Sequence, residues 1–314
     1  MALTDPSQIR NLAVLGTGVI GAGWIAFFLS RGLRAQAADP ADGSYERLCH
    51  FIERAWPLLE ELGLPETADR SGLRFCPTTE AALEGAEFVL ECAPERLDIK
   101  RSVFALADRL TSPDVVLASC ASALLMTPIQ QGLTHPGRCV LAHPFNPPHL
   151  LPLVEISGGD ETAPDTLDRT MRFFAHHGKK PVRLNREISG HIAGRLGAAV
   201  WQEAVSLVAE GIADVAAVDQ AMAWGPGLRF ALAGPHMIFH LGGGEGGLTH
   251  FIEHLGTAQQ RRWAELGRPK LTPDICRTLI SGVNAEAGDH SIGELEAERD
   301  RRLVAMIKAI TAQP

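Results

Sequence analysis

Short apolar runs alternate with longer amphipathic segments through the first half of the chain. Asn11–Leu15, Ala35–Ala38, Phe88–Glu91, Val115–Ser119 and Cys139–His143 are brief, apolar, and followed by turn or cap residues. Runs of this kind predict strands buried on both faces, and the helix-like segments between them predict the crossovers of a parallel sheet. Leu153–Ile156 and Pro181–Leu184 predict two further strands that finish it. After Asn185 the pattern becomes helical: Ala193–Ala209 repeats with helical period, as do the segments beginning near Asp214, His250, Pro273 and Ile292. No strand pattern follows. The expectation is an α/β domain over residues 1–185 and an all-helical domain over residues 186–314.

The first strand runs into Gly16-Thr17-Gly18-Val19-Ile20-Gly21, which opens a helix-like segment. Gly16 permits a tight turn, Gly18 lets the backbone approach a pyrophosphate, and Gly21 lets helix and strand pack closely. A GxGxxG alone is a weak signal. Here Asp39 ends the second predicted strand, 39 − 21 = 18 residues past Gly21, where an acidic side chain would accept from an adenosine ribose and repel a 2′-phosphate. The first domain therefore reads as a Rossmann-type dinucleotide-binding domain that prefers NAD to NADP.

Composition narrows the partners. The 314 residues are 46% hydrophobic and 21% charged, and the net charge of −8 disfavours nucleic acid, whose phosphates an acidic surface repels. Leu12–Leu29 is apolar, but its glycines and the lack of a cationic lead beyond Arg10 argue against a leader or a membrane span. Six cysteines show neither CxxC pairing nor metal-ligand spacing, so no metal site is expected and a reduced, cytoplasmic setting is the economical reading.

Five motifs in order resemble the 3-hydroxyacyl-CoA dehydrogenase superfamily: Gly16–Gly21, Glu91-Cys92-Ala93-Pro94-Glu95, Ser119–Ser122, His143-Pro144-Phe145-Asn146-Pro147 and Leu153-Val154-Glu155. The resemblance implies a dinucleotide-binding domain followed by a helical dimerisation domain, a homodimer, and an active site in the cleft between the domains. It assigns His143 as general base, Glu155 as its partner, and Ser122 as a ligand of the reacting oxygen. Elementary chemistry agrees: a histidine at the carboxyl edge of such a sheet can take an alcohol proton as hydride leaves for a nicotinamide. Taken singly, each has a plainer reading, as a capped histidine, a strand-end charge and a helix N-cap. Glu95 and Lys100 resemble the family's nicotinamide-ribose contacts, against the alternative of an exposed pair opening a helix. Cys120 stands where the acyl-CoA enzymes usually carry asparagine.

In the second half, Gly225-Pro226-Gly227-Leu228-Arg229-Phe230-Ala231, the cluster Gly242–Gly247, His250-Phe251 and Ser291–Glu296 resemble the carnitine 3-dehydrogenase branch. The substrate implied is a small L-3-hydroxy acid, L-carnitine first. Arg229 would pair with its carboxylate, and Phe145 and Phe230 would offer faces to the quaternary ammonium. Between Pro40 and Pro77 the basic residues besides His50 are Arg47, Arg54, Arg70 and Arg74, few for coenzyme A phosphates. L-3-Hydroxyacyl-CoA and then L-gulonate remain the enzymatic alternatives, and an NAD-binding crystallin-like structural protein the non-enzymatic one. One departure stands out: Gly194 occupies the place where the family presents asparagine or aspartate before an arginine, here Arg195, with His191 one helical turn earlier.

Overall fold

The computed structural model describes residues 8–312. Its sheet has eight strands: β1 (Asn11–Leu15), β2 (Arg34–Ala38), β3 (Leu73–Phe75), β4 (Phe88–Glu91), β5 (Val116–Ser119), β6 (Cys139–Pro144), β7 (Leu153–Gly158) and β8 (Lys180–Arg183). They lie in the order β3-β2-β1-β4-β5-β6-β7-β8. The chain moves one way from β1 to β3 and the other way from β4, so the switch point lies between β1 and β4. In open α/β sheets that crevice is where ligands bind.

Alternation along the strands supplies two cores. Leu12 and Val14, Val116 and Ala118, and Val140 and Ala142 point to one face, where they pack with Trp24, Phe28, Leu48, Phe173 and Phe174. Those residues come from α1 (Val19–Leu29), α2 (Ser44–Glu61) and α6 (Pro164–His176). Ala13, Leu15, Leu117 and Leu141 point to the other face, covered by α3 (Thr79–Leu83), α4 (Leu97–Leu110) and α5 (Met126–Gln130). Burial on both faces explains why the central strands read as continuous apolar runs.

Two features depart from the sequence expectation. The short strand β3 has an exposed centre at Arg74 and only three residues, too few to register as a run. The sheet is also not wholly parallel, because β7 runs antiparallel to β6, with His143 opposite Glu155. Residues 145–152 between them are too short for a crossover helix, so the chain must return beside the strand it left. The connection through α6 restores parallel pairing of β8 with β7.

The chain divides into two compact units after Gly194, nine residues beyond Asn185 (194 − 185 = 9); Asp300–Lys308 belongs with the first. Side chains of residues 187–191 explain the later division. Glu187 accepts from the Met126 and Thr127 amides and the Thr127 hydroxyl, Ser189 Oγ donates to the Ala123 carbonyl, and His191 bonds the Ala121 carbonyl. The second unit is helical: α7 (Ala193–Ala209) for most of its length, α8 (Val215–Met222), α9 (Leu228–Leu232), α10 (Pro235–Gly242), α11 (Gly247–Glu265), α12 (Pro273–Ala287) and part of α13 (Ile292–Thr311). The short helices α9 and α10 fall in the glycine- and proline-rich stretch that masks helical period in the sequence.

Candidate active site

The glycine turn has the geometry its sequence implies. Gly16 sits at φ +97°, and a Cβ there would meet the Cys92 carbonyl oxygen at 2.7 Å; one on Gly21 would lie 1.9 Å from the Gly16 carbonyl oxygen. Around Gly18 there is open space to 4 Å, and no side chain caps the start of α1. The first amides of that helix are thus left for an anion, as a pyrophosphate requires. Asp39 follows β2, and its Oδ2 accepts from the Thr17 amide at 2.7 Å and hydroxyl at 3.1 Å, while Oδ1 accepts from the Ala41 amide at 2.9 Å. A carboxylate has acceptor capacity beyond these three bonds, so it both ties the turn to β2 and retains room for a ribose hydroxyl.

The strand ends next to the turn form a cavity of about 280 Å³ whose lining includes Ile20, Cys92, Glu95, Lys100, Ser122 and His143. His143 comes from the end of β6, and its Nδ1 lies 3.0 Å from Glu155 Oε2, directly across the antiparallel pair. A carboxylate can only accept, so Nδ1 donates to it, and in the neutral ring Nε2 then keeps its lone pair. Glu155 is buried, and its second oxygen accepts from the amides of Ile192 at 2.8 Å and Ala193 at 2.9 Å, at the start of α7. Burial alone would raise its pKa, but the bonds from His143 and those two amides outweigh it and hold the carboxyl below its ordinary range.

Glu95 and Lys100 do not form the exposed pair that is the plainer reading of their spacing. Glu95 Oε1 accepts from the amides of Ser122, Ala123 and Leu124 at 2.8–3.1 Å, which fixes the loop carrying Ser122. Lys100 is buried, with its ammonium 2.8 Å from Glu91 Oε1, 3.1 Å from the Ala93 carbonyl, and 3.8 Å from Glu95. Glu91 also accepts from Ser119 Oγ at 2.6 Å. Ser122 is no helix cap: α5 begins at Met126, with Leu125 before it. Cys120 accepts from the Trp24 indole at 3.3 Å and from the Cys92 thiol at 3.5 Å. That contact, then burial, pushes the Cys92 thiol well up.

The remaining substrate candidates divide between the two units. Phe145 follows β6 and is 37% exposed; Arg229 and Phe230 lie on α9 in the second unit, exposed there. A side chain at Gly194 would meet nothing within 4 Å. His191 does not turn towards that space. It is buried in the first unit with its ring stacked on His143. Glu91 and Glu187 are the participants that sequence reading passes over as partners of the site, and His191, expected beside Gly194, partners His143 and Ala121 instead. A charged residue closing the apolar run Phe88–Glu91 is the one available signal, since a buried carboxylate demands a cation.

A glycine turn over an open helix start, an acidic residue ending β2, and a histidine–carboxylate pair beside them define a dinucleotide-dependent dehydrogenase. Residues 11–188 match the NAD binding domain of 3-hydroxyacyl-CoA dehydrogenase, and residues 190–274 match the C-terminal domain of the same enzymes. The chain belongs to the 3-hydroxyacyl-CoA dehydrogenase family and is an NAD-dependent dehydrogenase. It is 44% identical over 309 residues to an L-carnitine dehydrogenase of Nocardiopsis dassonvillei, covering 98% of this chain and 94% of that one. An L-carnitine dehydrogenase of Pseudomonas putida is 39% identical over 304 residues, covering 97% and 95%. Among solved structures, 5-formyl-3-hydroxy-2-methylpyridine-4-carboxylic acid 5-dehydrogenase, an NAD+-dependent dismutase, superposes with a TM-score of 0.83 at 30% identity, over 98% of this chain and all of that one.

Proposed function

We propose that this chain oxidises the 3-hydroxyl of L-carnitine to the 3-oxo acid, with His143 as general base. The observation that carries the mechanism is the cross-strand pair of His143 and Glu155, 3.0 Å apart, with His143 and Ser122 lining one cavity beside the glycine turn. The substrate rests on the relatives named L-carnitine dehydrogenase, which match nearly the whole chain.

Bound NAD supplies the acceptor for the hydride that leaves carbon 3. Gly16, Gly18 and Gly21 shape the turn for its pyrophosphate, and Asp39 selects it over the 2′-phosphorylated cofactor. Ser122 donates to the reacting oxygen and orients the hydroxyl. His143 Nε2 takes the hydroxyl proton, and Glu155 stabilises the imidazolium that results. Glu95 holds the Ser122 loop and lines the cavity that would take the nicotinamide ribose, with Lys100, its ammonium held by Glu91, at the same cavity wall. Within the helical unit, Arg229 would pair with the substrate carboxylate and Phe230 would offer a face to the trimethylammonium group, which can make no hydrogen bonds; Phe145, in the sheet unit, is the other candidate face. The helical part of the chain, expected over residues 186–314 and compact over Arg195–Arg299, serves as the substrate and dimerisation domain of a cytoplasmic homodimer. In support, Trp201, Trp224 and Trp263 are 59%, 77% and 66% exposed, more aromatic surface than a monomer usually leaves in water.

The test is NADH formation by the purified chain with L-carnitine, L-gulonate and L-3-hydroxybutyryl-CoA in separate assays. Preference for L-carnitine is the expected outcome. Preference for the thioester, or turnover of none of the three, would sink the substrate assignment.

A further inference from the structure

His191 has four properties that a filler residue does not need together. Its ring stacks on that of His143, with centroids 4.6 Å apart and planes 30° from parallel. Its Nε2 lies 3.0 Å from the Ala121 carbonyl, the residue before Ser122. It is 1% exposed. Its backbone sits at φ +49°, in the left-handed region, and it is the only residue other than glycine with positive φ among the described residues. Histidine tolerates that region better than most side chains, yet holding it there still costs energy that the surroundings must offset.

The surroundings do so through the catalytic groups themselves. A carbonyl can only accept, so Nε2 carries the proton and His191 clamps the turn beneath Ser122. The same left-handed kink brings the next two amides, of Ile192 and Ala193, onto Glu155 Oε1. One residue thus touches the ring of the base, the loop of the serine, and the chain segment that anchors the carboxylate. Burial, with His143 alongside, lowers the pKa of His191 despite its bond to Ala121 and the nearby Glu155 and Glu95. A neutral second ring leaves the positive charge of the reaction to His143.

We propose that His191 is a positioning residue for this reaction: its ring fixes the plane of His143, and its bond to Ala121 fixes the height of Ser122. The inference rests on His143 being the base, and it assigns separate kinetic consequences to the two contacts. Loss of the stack frees the base and lowers kcat. Loss of the Ala121 bond moves the serine and raises KM for the alcohol. Neither contact touches the glycine turn, so KM for NAD stays put.

Two variants separate these contacts. His191→Asn suits the left-handed backbone and keeps a polar group but removes the ring. His191→Phe keeps a stacked ring but cannot donate to Ala121. With L-carnitine and NAD, His191→Asn is expected to lower kcat on the order of ten- to a hundredfold, the range that slight misplacement of a catalytic group produces. KM for NAD should stay within about twofold in both variants, as the two contacts lie apart from the turn. His191→Phe is expected to recover most of kcat while raising KM for L-carnitine severalfold. NADH binding stoichiometry counts the folded sites, so a folding defect is not read as lost kcat. Near-normal kcat in His191→Asn, or a His191→Phe enzyme no faster than His191→Asn, would overturn the proposal. His143→Asn is measured alongside: if it remains active, the base itself has been misassigned, whereas an inactive His143→Asn beside unaffected His191 variants removes only the positioning role.

Discussion

Lys100 is 1% exposed and spends its ammonium on Glu91 and the Ala93 carbonyl. A buried ion pair of this kind adds little net stability, but removing one partner strands the other charge at a cost of about 3–5 kcal/mol. Lys100→Met should therefore lower the urea midpoint strongly, and its main defect should be stability. A variant with unchanged stability and a raised KM for NAD would instead return Lys100 to a direct cofactor contact, as the family resemblance suggests. At this scale the sequence is informative where chemistry sits at strand ends. His143, Glu155 and Ser122 are all placed by motif, and the structure brings them to neighbouring strand ends. It passes over Glu187, and it names Glu91 and His191 without their contacts, because each acts through a residue distant in sequence: Ser119 lies 28 positions from Glu91, and Ala121 lies 70 from His191.

The turn between β1 and α1 makes a sharper prediction, since its glycines serve different ends. A Cβ at Gly21 would sit 1.9 Å from the Gly16 carbonyl oxygen, so Gly21→Ala must push α1 off the sheet. Overpacking of this kind costs about 1–3 kcal/mol, and thermal unfolding should show it. Gly18 has nothing within 4 Å, so Gly18→Ala should fold normally and lose affinity for NADH in a fluorescence titration. Equal stability loss in both variants would contradict the assignment of open space at Gly18 to the pyrophosphate. Seven of the eight strands are legible as short runs, and the helices beginning near 193, 214, 250, 273 and 292 by period. The direction of β7 is not, because a strand's own residues do not encode which way its neighbour runs. Only the eight-residue link to β6 decides it, and that link is readable in principle.

Across the whole molecule, buried histidines tie stability to pH. His177 packs against Phe28 and Phe173, and burial, with the positive charges of His176, Arg10 and Arg31, lowers its pKa from 6.5 to about 4. The unfolded chain binds a proton below pH 6.5 that the folded chain refuses until about pH 4, so folding stability falls as pH drops through that window. The effect is limited to about 3 kcal/mol, since each tenfold change in proton affinity is worth about 1.4 kcal/mol. His177→Phe should flatten the decline between pH 7.5 and pH 5 in urea unfolding; an unchanged slope would mean that His177 is not the source. Glu155 adds a separate loss in more acidic solution, beginning as pH falls through the ordinary carboxylate value and complete below its own lowered one. That a helical part follows the sheet is legible from the change of period after Asn185, though the compact units divide after Gly194. The place of Asp300–Lys308 in the first unit is not, because period reports a helix and not the surface it packs on.

The most direct test of the account is the turnover number of His143→Asn with L-carnitine and NAD, with NADH affinity measured on the same preparation. Asparagine keeps a polar group near Glu155 but has no basic nitrogen to take the alcohol proton. The account predicts a fall in kcat of about a hundred- to ten-thousandfold, the usual contribution of a general base, with NADH affinity little changed. Turnover within a few-fold of the parent enzyme, with the cofactor bound as before, would contradict it.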